Sequence, residues 1–134
     1  MSPRTVFLSR LIGLYAIVVS LCMAAHKQST VETITALVHN SPLVFLTGIL
    51  AVVAGLAIIL GHNVWSGGAL PVIVTLIGWV TLVKGALLLI LTPEAESRFF
   101  LAGLHYEQLF YFYVAIDLLL GVYLTYGGIR STAR

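Results

Sequence analysis

The run ALPVIVTLIGWVTLVKGALLLIL, Ala69 to Leu91, is apolar apart from two threonines and one lysine past its midpoint. At about 1.5 Å of rise per residue, a helix of this length crosses the roughly 30 Å hydrocarbon layer of a bilayer. Pro71 falls in the first turn, where a missing N–H leaves no intrahelical bond unmade. This stretch reads as a membrane span, and Lys84 is then an ammonium group placed in oil.

Composition extends that reading to the whole chain. With 60% hydrophobic and 9% charged residues, there is too little polar surface to cover a domain in water. The 134 residues hold about four spans with short connections, so the expectation is a single membrane domain over 1–134. The net charge of +2 is scattered, with no basic run of the kind that follows a phosphate backbone, which excludes nucleic acid as a partner. Cys22 is the only cysteine, so one chain can form neither a disulfide nor a multi-thiolate metal site; it reads as a small apolar filler.

The predicted spans are 6–25, 43–60, 69–91 and 108–126. Arg4 and Arg10 ahead of Leu11 to Ala25 have the look of a secretory signal, but three spans follow, and the segment is read as a retained first span. In the first connection, HKQSTVETITALVHNSP, Ser29 and Glu32 have capping-box spacing and Val31, Ile34, Leu37 and Val38 form one stripe. A short interfacial helix is predicted there, ending near Asn40. The second connection, GHNVWSGGALP, suits a tight helical hairpin, with Gly61 as a stop, Ser66 as a cap and Trp65 in the headgroup layer. In the third, Thr92 caps, Pro93 sits first, and Glu94 and Glu96 favour the positive end of a helix.

Four spans return both termini to one side. Arg4, Arg10, Arg130 and Arg134 flank the termini, against Lys27 and Arg98 in the connections of the other side, so the positive-inside rule puts both termini in the cytoplasm. The aromatics Tyr106, Phe110, Tyr111, Phe112 and Tyr113 at the entry of the fourth span suit an interface belt.

Small residues recur seven apart, nearly two helical turns: Gly13 and Ser20, Gly48 and Gly55, Gly78 and Gly85, Gly121 and Gly128. Each pair returns to one face and lets another backbone approach closely, so these faces are expected to pack helices, including copies of the chain or another membrane subunit.

The lysine needs a partner. If the third and fourth spans form a hairpin centred near residue 100, Lys84 lies sixteen positions before that centre and Asp117 seventeen after it. The two would then share a depth of roughly 10 to 15 Å below the outer boundary. An unpaired charge there costs several kcal/mol, so a Lys84–Asp117 pair is expected, with Thr81 and Tyr113 as hydrogen-bonding neighbours. Arg10, a turn from the end of its span, is expected to snorkel to the headgroups. His26, His39 and His105 fall toward the outer side and read as interfacial groups; no metal and no cofactor are expected from them.

With HNVWSGGALPVIVTLIGW and GLHYEQLFYFY as they stand, the chain resembles small, four-span bacterial integral membrane proteins of no established activity. The likeness runs from the first span through Gly128 and brings no catalytic residue with it. Small multidrug transporters are also four-span, but their membrane carboxylate is a glutamate in the first span, which here has none. No phosphate-binding loop, zinc-protease helix or nucleophile elbow is present. The expected fold is therefore an all-α four-helix transmembrane bundle with a short interfacial helix. The expected function is a non-enzymatic scaffold or accessory subunit; the alternative is a small proton-coupled transporter or channel using Lys84 and Asp117.

Overall fold

The structure is a computed structural model that describes residues 1–132, the side chains at positions 100 and 101 excepted; Arg134, counted above among the terminal cations, lies outside the described residues. It is all-α. Four helices are long and apolar enough to cross a bilayer: α1 (Pro3–Ala25), α3 (Ser41–Gly61), α4 (Ala69–Ile90) and α6 (Phe110–Arg130). Between them lie α2 (Lys27–Val38) and the one-turn helix α5 (Pro93–Ser97), which continues into a π-helical turn, Arg98–Gly103.

Local chemistry sets most of the boundaries. The hydroxyls of Ser2 and Thr92 and the side-chain oxygen of Asn40 accept hydrogen bonds from the N–H groups of Thr5, Ala95 and Leu43, each followed by a proline in the first turn. The predicted capping box does not form. His26 both ends α1 and precedes α2, so the helix is already running at Ser29, and Glu32 instead accepts from Gln28 at 3.1 Å. Ser66 does not cap α4 either; Gly67 and Gly68 adopt φ of 88° and 116°, a left-handed conformation that glycine tolerates, and turn the chain directly.

That turn is tied from within. The Thr75 hydroxyl accepts the Val64 N–H at 3.0 Å and lies 2.9 Å from the Val64 carbonyl, while the buried His62 ring sits 3.3 Å from the Pro71 carbonyl. His62 and Thr75 therefore close the α3–α4 hairpin rather than offering a ligand site.

Two antiparallel pairs make the bundle: α3 lies along α4, and α1 along α6. In both, close approach depends on small residues. A Cβ added at Gly55 would fall 2.5 Å from the Leu82 backbone N, and one at Gly85 2.7 Å from the Val52 N. Gly78 faces Ile58, and Gly48 faces Leu89. In the other pair, Thr5, Ser9, Gly13, Ala16 and Ser20 form the buried stripe of α1 against Val114, Gly121, Leu124 and Gly128 of α6. A Cβ at Gly121 would lie 2.9 Å from the Gly13 carbonyl. All eight small residues are thus occupied within one chain.

The two pairs join at the end that carries the termini. Leu70, Val74 and Leu124 form the buried core there, with Leu8, Ile12, Ile58 and Ile77 packed around them. Elsewhere α4 and α6 make few close backbone approaches, and a groove opens beside the half of α4 nearer α2.

Candidate functional site

The opening follows from connection length. The link from α3 to α4 is short and makes them neighbours, whereas the stretch from Leu91 to Leu109 is long enough for α6 to leave α4 and reach α1. A groove of about 700 Å³ is left beside the outward half of α4, lined by Trp79, Val83, Leu87 and Leu91 and closed by Phe99 and Leu104 of the connection. Lys84 lines it too, as its single charged residue.

The structure does not join Lys84 to Asp117. Lys84 is exposed on the groove side of α4 and forms no ion pair or hydrogen bond among the described residues. Asp117 is turned into the other pair of helices, where the buried Ser20 hydroxyl donates to its Oδ2 at 2.7 Å. Depth alone did not separate the two expectations. Lys84 stands six residues before the last residue of α4, and Ser20, at the level of Asp117, five before the last of α1. What differs is lateral position, fixed by which helix each one packs against. The expected neighbours are elsewhere as well: the Tyr113 hydroxyl donates to the Leu104 carbonyl at 2.8 Å, and Thr81 makes no side-chain hydrogen bond among the described residues.

Arg10 has partners that the sequence did not show: it donates through Nε to the Gly128 carbonyl at 3.2 Å and through a terminal nitrogen to the Thr132 hydroxyl. Antiparallel packing sets it beside the last turn of α6, where carbonyls lack intrahelical donors and the helix end favours a cation.

A second space lies against the groove, across Lys84 and Leu88, which line both. It is a chamber of about 290 Å³ roofed by Ile34, Leu37 and Val38 of α2 and walled by Val44 and Thr47 of α3, with Glu96 and Tyr106 at its polar side. The α2 stripe expected to face the interface thus covers this space. Glu96 is only 2% exposed, and its carboxyl makes no hydrogen bond among the described residues. Burial pushes its pKa above the ordinary glutamate value, and burial likewise raises that of Tyr106. The sequence put Glu94 and Glu96 together at the helix start; they are two residues apart, so they point to opposite sides, and only Glu94 faces solvent. That offset was the available signal for Glu96.

The aromatics around the entry of α6 form one cluster: Tyr106 is stacked on Tyr113 with ring centroids 6.0 Å apart and meets Phe110 edge-on at 5.9 Å. The Lys27 ammonium lies 5.1 Å from the Tyr111 ring centre, which pins the start of α2 to this cluster. Among the described residues no three histidine, cysteine or acidic side chains gather to hold a metal ion. Compared with known protein families, curated proteins and solved structures, the chain matches none.

Proposed function

We propose that the chain is a non-enzymatic accessory protein of a bacterial inner membrane, which holds a phospholipid in its lateral groove and presents its four spans as the scaffold around it. Lys84 carries the reading. An ammonium inside a span is costly, up to about 3 kcal/mol at the helix centre even on lenient insertion scales, and Lys84 lies six residues inside the end of α4. Here it faces a lipid-sized apolar groove without such a group among the described residues. A phosphate brought in on an acyl-chain body answers both features at once: the chains cover the leucines and Trp79, and the phosphate meets the ammonium. Arg4, Arg10 and Arg130 at the opposite end support a cytoplasmic placement of the termini, which puts the groove in the outer leaflet.

The test is the phospholipid retained after purification in mild detergent, measured by native mass spectrometry. Wild-type protein is expected to keep bound phospholipid, and Lys84→Met to lose most of it while remaining folded. Equal retention by Lys84→Met would end the proposal. A second membrane protein that co-purifies with the wild type and is lost from the variant would assign the groove to a helix instead.

A further inference from the structure

We infer that the groove and the chamber form one composite site that selects a phospholipid whose headgroup ends in a primary ammonium: phosphate at Lys84, ammonium at Glu96, acyl chains along α4. The inference rests on the lipid reading above and adds the headgroup. Three observations carry it. Lys84 and Leu88 line both spaces, so an amphiphile anchored at Lys84 lies against the groove on one side and the chamber on the other. The volumes are unequal in the required sense, about 700 Å³ of apolar groove for hydrocarbon and about 290 Å³ of chamber for a small polar head. Finally, Lys84 and Glu96 border the same chamber without forming an ion pair, so a cation and an acid stand apart with space between them.

Glu96 decides between headgroups. Glu96 is a buried residue whose carboxyl has no hydrogen bond among the described residues, and a donor that carries positive charge would supply one. A primary ammonium offers three N–H donors to the carboxylate and to the hydroxyls of Thr47 and Tyr106, which also line the chamber. A quaternary ammonium has the charge but no donor, and its methyl groups enlarge the head. A glycerol headgroup would satisfy Lys84 through its phosphate yet bring no cation to Glu96. A zwitterion offers a group to each, phosphate to Lys84 and ammonium to Glu96, which line the same chamber.

The experiment adds defined lipids to delipidated full-length protein in mild detergent and reads the bound fraction by native mass spectrometry. Phosphatidylethanolamine is expected to bind about tenfold more tightly than phosphatidylcholine or phosphatidylglycerol, the worth of one charged hydrogen bond. With wild-type protein alone, stepwise N-methylation of the ethanolamine head is expected to lower binding at each step, so the inference stays testable even if a variant fails to fold. Glu96→Gln is expected to bring phosphatidylethanolamine down to the level of phosphatidylcholine, whereas Glu94→Gln, at an exposed position, leaves the preference intact. Equal binding of the methylation series, or a preference for phosphatidylglycerol, would overturn the headgroup assignment. If headgroups prove equivalent but Lys84→Met still loses lipid, only this inference fails; if Lys84→Met retains it, the lipid reading fails as well.

Discussion

Charged groups packed inside the two helix pairs and those that face the space between the pairs are treated in opposite ways, since Arg10 and Asp117 are both bound by their own chain. At the terminal end Arg10 is bound to the last turn of α6, His62 and Thr75 lock a hairpin, and the helices close over Leu70, Val74 and Leu124. At the α2 end Lys84 and Glu96 have no ion pair or hydrogen bond among the described residues, and the helices part. Polar side chains of the first kind hold the fold; those of the second line the groove and the chamber, where the proposed lipid would complete them. The contrast is between a charge satisfied by its own chain and one that is not, among the described residues.

The largest effect that tests this contrast concerns the close helix contacts. Gly55→Leu is expected to abolish the folded monomer, and even Gly55→Ala should lower stability by about 1 to 3 kcal/mol, because the added carbon meets Leu82 backbone. Gly61→Ala, with open space around it, is the control. Thermal unfolding in detergent reads both. Next come the satisfied polar groups. Asp117→Ala and Ser20→Ala are each expected to cost about 1.5 to 3 kcal/mol, and the double variant less than their sum, since they share one hydrogen bond. Arg10→Met should cost about 1 to 2 kcal/mol by freeing the end of α6. Lys84→Met should go the other way, unfolding at the same temperature as wild type or higher in lipid-free detergent. A loss comparable to that of Asp117→Ala would erase the distinction between a charge bound inside a helix pair and one that faces the groove.

The smallest effect is a pH slope. Burial raises the folded-state pKa of Glu96, so between the ordinary glutamate value and the raised one the folded protein holds more protons than the unfolded. Stability should therefore fall as pH rises through that window, and Glu96→Gln should flatten the slope. An unchanged slope in the variant would remove Glu96 from the titrating groups that matter.

The spans were legible because hydrocarbon imposes a length and a composition that few other environments share. Observed helices at 41–61 and 69–90 differ from the expected 43–60 and 69–91 by a residue or two. The seven-residue spacing of glycines was equally plain, since it is a local periodicity. Which glycine face meets which was not. Apolar helices carry little pairwise information, and the decisive clue, a short link after α3 against a long one after α4, bears on topology rather than on any one residue. Assuming a hairpin across the long link gave Lys84 a neighbour at the correct height on the wrong helix. Glu96 was missed because a carboxylate beside a proline-started turn has an adequate local explanation, and its burial depends on α2 folding over it.

The pairing of the first helix with the last has a consequence for how the protein is made. The α3–α4 hairpin can form the contacts between its own arms as soon as both have left the ribosome, but the α1 stripe of Thr5, Ser9, Arg10 and Ser20 stays without its α6 partner until α6 has been synthesised. A nascent chain that stops short of α6 therefore displays that polar stripe to the lipid.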